Sequence, residues 1–215
     1  MSSADPEKEP IIEITKNGPI KVSHCDNVYD AEGNKLTASP SLFLCRCGKS
    51  RKRPYCDGSH SRTGFSGEKS PDRVKDRWKN YVGEQITVRD NRGICSHSGV
   101  CVQELASVFN TARRPWINAD GAEPEEIIEI IKKCPSGALR YIKADLEHIN
   151  FDHHPAIHLE KNGPANVTGG IKLVDPDNNR PASDEHYSLC RCGNSKNKPF
   201  CDGSHGRVRY AVDSD

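Results

Sequence analysis

The chain has 215 residues, with 31 Lys and Arg against 30 Asp and Glu for a net charge of +1; that balance gives no electrostatic case for binding nucleic acid or an anionic membrane surface. Its apolar content is 34% and its aromatic content 6%, little for one large core, and no apolar run approaches the ~18 residues that a membrane span needs. Ten cysteines follow a polar start, Met1 to Pro10, that carries no apolar signal-peptide stretch, so they read as reduced metal ligands in a cytoplasmic protein and not as a secreted disulfide framework.

The first predicted element is a β-hairpin. Ile12 and Ile14 alternate with polar residues, Lys16-Asn17-Gly18-Pro19 supplies the turn, and Ile20 and Val22 resume the alternation. Cys25 ends this stretch and is expected to be a buried or half-buried free thiol, not a ligand. Next comes Cys45-x-Cys47-x8-Cys56-x3-His60, with Lys49, Arg51, Lys52 and Arg53 as a basic rim. Asp57 is a good N-cap, so a short helix is expected there, with Cys56 and His60 facing one point.

A different region follows. Ile86 to Arg89 alternates as a strand, and Cys101 to Asn110 places Val102, Leu105, Ala106 and Phe109 at helical spacing. Pro124 opens a second helix with Glu125 and Glu126 in its first turn, Lys132 and Lys133 in its last, and an Ile127, Ile130, Ile131 stripe. Leu139 to Lys143 reads as a closing strand. Cys95, Cys101 and Cys134 lie in this region. His148, His153, His154 and His158 then form a loose group expected to be a solvated linker.

The final stretch repeats the first at an offset of 145. Lys161-Asn162-Gly163-Pro164 matches the hairpin turn, and Cys190, Cys192, Cys201 and His205 match the ligand loop; from the preceding Leu onward the two loops agree at 12 of 17 positions. Lys196 and Lys198 continue the basic rim. Cys25 has no counterpart, since Gly170 stands at the matching position. Two copies suggest a pseudo-two-fold pair. The organisation is a first unit over 1–76, an inserted domain over 77–146 and a second unit over 147–215.

Each repeat offers three thiols and one imidazole. Such a set can hold one tetrahedral zinc or, as two pairs of ligands, the two irons of a [2Fe-2S] cluster; ligand identity does not separate them. The pattern Cys-x-Cys-x2-Ser-x3-Pro-x-Cys-Asp-Gly-Ser-His, present twice, resembles the signature of the CDGSH iron-sulfur domain proteins, the mitoNEET relatives. The resemblance covers about 55 residues per copy. It implies two [2Fe-2S] clusters, on Cys45, Cys47, Cys56 and His60 and on Cys190, Cys192, Cys201 and His205, in two units that pair side by side within one chain.

The stretch from Cys95 to Leu139, with Arg114-Pro115-Trp116-Ile117 and Cys134-Pro135-Ser136-Gly137-Ala138-Leu139, is similar to the divergent single-cluster 4Fe-4S ferredoxins. Cys95, Cys101 and Cys134 would be its thiolates. Ser98 stands where a ferredoxin run has its second Cys, so three thiols hold [3Fe-4S] outright, and [4Fe-4S] needs a further ligand from His97, Ser98, water or a partner.

The fold expected is therefore α+β: two small β-rich CDGSH units forming a pseudo-two-fold pair, with a ferredoxin-like α+β domain inserted between them. No Ser-His-Asp arrangement, phosphate loop or nucleotide fingerprint is present. The expectation is a monomeric iron-sulfur protein, not an enzyme, acting in electron transfer, cluster transfer or redox sensing with a redox protein or an apo-acceptor as partner. The competing expectation is a structural zinc protein.

Overall fold

A computed structural model describes residues 9–36 and 40–211. In chain order it shows β1 (Ile11–Ile14), β2 (Ile20–Ser23), β3 (Val28–Tyr29), β4 (Ser41–Leu44), a 3-10 turn (Ser59–Arg62), β5 (Trp78–Val82), β6 (Thr87–Asn91), α1 (Val100–Glu104) and α2 (Pro124–Lys132). There follow β7 (Leu139–Lys143), β8 (Leu146–His148), β9 (Ala156–Leu159), β10 (Ala165–Thr168), β11 (Lys172–Val174), β12 (Tyr187–Leu189) and α3 (Ser204–Arg207). The described residues are β-rich, with short helices and three four-stranded sheets.

Both expected hairpins are present. β1 pairs antiparallel with β2 and β9 with β10, and each turn places its Asn in the left-handed region, Asn17 at φ 47° and Asn162 at φ 54°. Asn tolerates that conformation better than most residues. Alternation within the strands buries Ile12, Ile14, Ile20 and Val22 on one face.

The two repeats do not close on themselves. Sheet order is β11-β1-β2-β4 in one and β12-β10-β9-β3 in the other. The third strand of each repeat thus crosses to the partner's sheet and pairs in parallel there, Ile12 opposite Leu173 and Val28 opposite Ile157. The exchange is symmetric under the 145-residue offset. It fuses the repeats around one core in which Ile12, Val22 and Leu44 meet Ile157, Val167 and Leu189. The exchanged strands are two and three residues long, so the pairing is as much a product of the shared core as of strand propensity.

The insert has its own sheet, β5-β6-β7-β8, with α2 across it and a separate core of Val88, Phe109, Ile117, Ile127, Ile131 and Leu139. α2 begins and ends where its charges and Pro124 place it, and Glu123 and Glu126 form a reciprocal capping box. The sheet's last strand runs on to His148. The helix expected from Cys101 to Asn110 is shorter. α1 stops at Glu104, Leu105 turns to φ −142°, and Phe109 bridges to Ile117 in a small hairpin. Val108 and Phe109 are both buried at the end of a turn closed by their N–H groups on the Leu105 carbonyl, not as one face of a helix.

The histidine group is only in part a solvated linker: His154 and His158 are exposed, while His148 and His153 are half-buried. His148 stacks on Tyr141 at 4.4 Å and His158 on Tyr29 at 5.0 Å. His153 Nδ1 meets the Glu185 carboxylate at 2.9 Å, and buried His186 meets the other oxygen at 2.7 Å. Gly169 N–H also donates to Glu185. This network ties the linker to the second unit.

Candidate metal centres

The first outer site is held by β4 and the loop that follows it. The Cys56 N–H donates to the Phe43 carbonyl, and the Cys45 N–H to the Pro54 carbonyl, both at 2.8 Å. The Ser50 hydroxyl donates to the Tyr55 carbonyl at 2.7 Å. So fixed, Cys45 Sγ lies 3.7 Å from Cys47 Sγ, and Cys56 Sγ lies 3.4 Å from His60 Nδ1. The second site repeats this closely: 3.7 Å between Cys190 and Cys192, and 3.3 Å between Cys201 Sγ and His205 Nδ1.

Asp57 acts one residue earlier than a simple N-cap. Gly58, at φ 83°, begins the turn, while the Asp57 carboxylate accepts from Ser59 N–H and Arg51 N–H at 2.9 Å each. Those bonds hold its carboxyl well below the usual carboxylate range. Asp202 repeats the arrangement with Ser204 and Lys196. The carboxylate thus joins the two halves of each ligand loop.

The sulfurs sit among donors. Lys49 N–H donates to Cys47 Sγ and Gly58 N–H to Cys56 Sγ, at 3.4 and 3.5 Å. Within each Cys-x-Cys pair the two sulfurs share one hydrogen bond, which lowers one thiol of the pair, Cys45 or Cys190, so that it gives up its proton more easily. The hydrogen bond with the neighbouring sulfur, and then burial, push Cys47 and Cys192 the other way. Such groups suit a centre that binds thiolates and displaces their remaining protons. His205 is held below the ordinary imidazole value by burial, which favours the neutral form that ligates.

The intervening residue of Cys-x-Cys proves structural. Arg46 is 2% exposed. Its Nε donates to the Gly18 carbonyl at 2.8 Å and its Nη2 to the Thr15 carbonyl at 2.9 Å, so it bolts the ligand loop to the hairpin turn. Arg191 does the same through Glu160. Sequence reasoning passed over both, although their identity across the repeat was a usable signal.

At the pseudo-dyad Cys47 bridges to Cys192. Gly48 (φ +71°) and Gly193 (φ +76°) follow them, and a Cβ on either would run into the backbone carbonyl of the opposite cysteine. No other residue suits this crossing.

In the insert, Cys95, Cys101 and Cys134 line one small cavity together with Ser98, Trp116 and Asp90. Arg92 Nη1 donates to Cys95 Sγ at 3.6 Å, and the same guanidinium lies over the Trp116 ring at 5.2 Å. Burial raises Cys95, and pushes Cys101 up to about 11 with help from the neighbouring sulfurs. Of the two further ligands considered from sequence, Ser98 lines the cavity and His97 does not. His97 instead lays its ring against Gly203 of the second outer loop. Cys25, buried with its Sγ 3.9 Å from the Asn27 carbonyl, belongs to none of these groups.

Asp90 carries no motif or spacing that would single it out in the sequence. It is buried, its Oδ1 has no partner among the described residues, and burial raises its carboxyl to about 6. The folded carboxyl therefore keeps its proton to about pH 6 while an unfolded one loses it near 3.8. Folding takes up a proton between those values, so this residue's contribution falls as pH rises from 3.8 to 6 and the full penalty stands above 6. Asp90→Asn is expected to stabilise the metal-free chain at neutral pH by at most about 3 kcal/mol, less whatever the buried amide itself costs. Urea unfolding of both chains should show the gap closing as pH falls from 6 to 4, and a gap independent of pH would contradict the assignment.

The arrangement offers candidate metal ligands in three places: two thiol-and-imidazole groups built alike, and a third built from thiols. Comparison with known proteins agrees. Residues 17–61 and 162–206 match the family described as iron-binding zinc finger, CDGSH type, and residues 81–144 match the divergent 4Fe-4S mono-cluster family. The uncharacterized protein YjdI of Escherichia coli strain K12, and likewise that of strain O157:H7, is 46% identical over 61 residues, 28% of this chain and 80% of the relative. No solved structure matches. The chain belongs to the CDGSH iron-binding family, with two CDGSH units and a divergent 4Fe-4S mono-cluster domain between them.

Proposed function

We propose that the chain carries three iron-sulfur centres and serves as an electron or cluster carrier, not as an enzyme. Two [2Fe-2S] clusters are assigned to Cys45, Cys47, Cys56 and His60 and to Cys190, Cys192, Cys201 and His205. A [4Fe-4S] cluster, or [3Fe-4S] where a fourth ligand is lacking, is assigned to Cys95, Cys101 and Cys134. The observation that carries this reading is the gathering of nine of the ten cysteines into three groups, two of them completed by a histidine ring nitrogen 3.3–3.4 Å from a sulfur.

When bound, such clusters supply one-electron uptake and release. The chain's own residues set the conditions. The neutral imidazole in place of a fourth thiolate removes a negative charge, which favours potentials above all-cysteine [2Fe-2S] centres and below those with two histidines. The N–H donors at Cys47, Cys56, Cys192 and Cys201 act in the same direction. Exposed Lys49, Arg51 and Lys52 offer a basic rim to an acidic partner protein.

The exchanged strands and shared core support pairing of the two outer units within one chain, hence a monomer. Free cysteines throughout the described residues suit a reducing, cytoplasmic setting. Among the described residues no helix is long and apolar enough to cross a membrane. Carrier roles separate in one experiment. The oxidised and the reduced holoprotein are each mixed with an apo-ferredoxin and with an oxidised redox protein. Fast reduction of the second without loss of iron is expected for an electron carrier, and iron appearing in the first marks a cluster donor. Neither outcome within hours would contradict the proposal.

A further inference from the structure

Because the outer loops are copies, each is a control for the other, and their surroundings differ on one side. Gly58 has nothing within 4 Å of where a Cβ would stand, whereas a Cβ at Gly203 would fall into the His97 ring. Tyr55 is 40% exposed, whereas its counterpart Phe200 is 7% exposed beneath the Lys69 ammonium, 5.4 Å from the ring centroid. Cys56 is half-buried and Cys201 is 2% exposed.

The covering contacts come from the insert and the segment leading into it. Asn197, buried, donates to the Gly93 carbonyl at 3.2 Å, and the Lys196 carbonyl accepts from Ser70 N–H at 2.8 Å. At the position matching Asn197 the first loop carries Lys52, which is exposed. His60 and His205 are both half-buried, so the difference lies on the Cys56 and Cys201 side. Pseudo-symmetry alone would have left the two loops equally open; the single insert packs on one of them.

We propose that the insert makes the two matching sites unequal in kind. The second site, under His97 and Gly93, is a retained centre beside the middle cluster, and the first site is the one from which a cluster leaves to an acceptor. This rests on the iron-sulfur reading above. Departure is ligand substitution: bonds from iron to three thiolates and one imidazole break, the incoming donors replace them, and the freed thiolates take up protons. Sulfide travels with the cluster to a protein acceptor or leaves as hydrosulfide when a chelator takes the iron. No electron need be supplied. The incoming donor must reach the metal, and water and ligands reach Cys56 more readily than Cys201.

The test uses the full-length holoprotein with excess EDTA at a fixed, mildly alkaline pH. Loss is followed by visible absorption and by EPR of samples reduced at each time, which counts [2Fe-2S] apart from the middle centre. Two phases of equal amplitude are expected, with rates at least about tenfold apart, a difference of about 1.4 kcal/mol in barrier. Cys56→Ser should remove the fast phase and Cys201→Ser the slow one. His97→Ala, which touches no assigned ligand in the first unit, should bring the slow phase several-fold closer to the fast one. Independently, amide hydrogen exchange in the holoprotein should be slower in the Cys201–His205 stretch than in the Cys56–His60 stretch. A single rate for both clusters, a fast phase that survives Cys56→Ser, or an unchanged slow phase in His97→Ala would each overturn the proposal. If either cysteine variant fails to fold, His97→Ala and the exchange comparison decide. A colourless, zinc-bearing protein would overturn the iron reading and this inference with it, while two filled clusters that decay together overturn the inference alone.

Discussion

Replacing Gly48 or Gly193 by alanine is expected to open the join between the outer units and to strip metal from both of their sites. Each glycine sits in the left-handed region, which for alanine costs about 1–2 kcal/mol by itself. The larger effect is steric. The added methyl group meets the carbonyl of Cys192 or Cys47 across the pseudo-dyad, and that carbonyl is backbone held in the Cys47–Cys192 bridge, so no side chain can swing away. The two loops must separate, and with them the Cys-x-Cys pairs. A loss of about 4 kcal/mol or more is expected, at the upper end for a single substitution. Gly33→Ala is the control: Gly33 also has positive φ, +84°, but nothing lies within 4 Å of its Cβ position, so only the conformational part should appear. Denaturant unfolding with iron analysis of the three chains checks this. Equal effects at Gly33 and Gly48 would show that the close crossing does not matter.

Changing His60 or His205, the imidazoles proposed as ligands, to cysteine is expected to protect an outer cluster against acid and to lower its potential. Imidazole ligates only when neutral, so protons compete with iron for it as pH falls. Burial holds His205 below its ordinary value, which means that the ligating form persists to lower pH than free imidazole, whose value is about 6.5. Acid loss at the second site should therefore set in below that value. His205→Cys replaces the imidazole by a thiolate and should slow the loss near pH 5–6 by roughly tenfold or more. The added negative charge should lower the reduction potential. His60→Cys should act in the same way at the first site. Absorption decay after a pH jump, with redox titration of each variant, measures both effects. Variants that decay like the wild type would remove the histidines from the ligand set.

What could be read from the sequence was whatever the chain states locally and twice. The ligand loops and hairpins recur at one offset, and the Pro124 helix carries its caps and charge bias in consecutive residues. What could not be read depends on distant contacts. β3 is only Val28 and Tyr29, too short to announce itself, and its partner β9 lies in the other repeat. α1 seemed longer because Val102, Leu105 and Phe109 keep helical spacing, whereas burial of Phe109 against Ile117 serves a hairpin. His97 stands one residue from the expected ligand position and is only one of several candidates for a further ligand; its contact with Gly203 is set by how the insert docks, which no local pattern records. Asp90 lay in an ordinary strand pattern, and only the cavity beside it gives it significance.

The central claim, three iron-sulfur centres in one chain, is tested most directly by iron, zinc and sulfide analysis of the isolated protein combined with EPR before and after reduction. The account predicts a coloured protein with about eight irons per chain (2 + 2 + 4), or seven if the middle centre is [3Fe-4S], acid-labile sulfide in matching amount and no stoichiometric zinc. It further predicts that an air-oxidised sample with seven irons shows the signal of a three-iron centre while one with eight is silent. A colourless protein holding zinc at the two outer sites, without acid-labile sulfide, would contradict it.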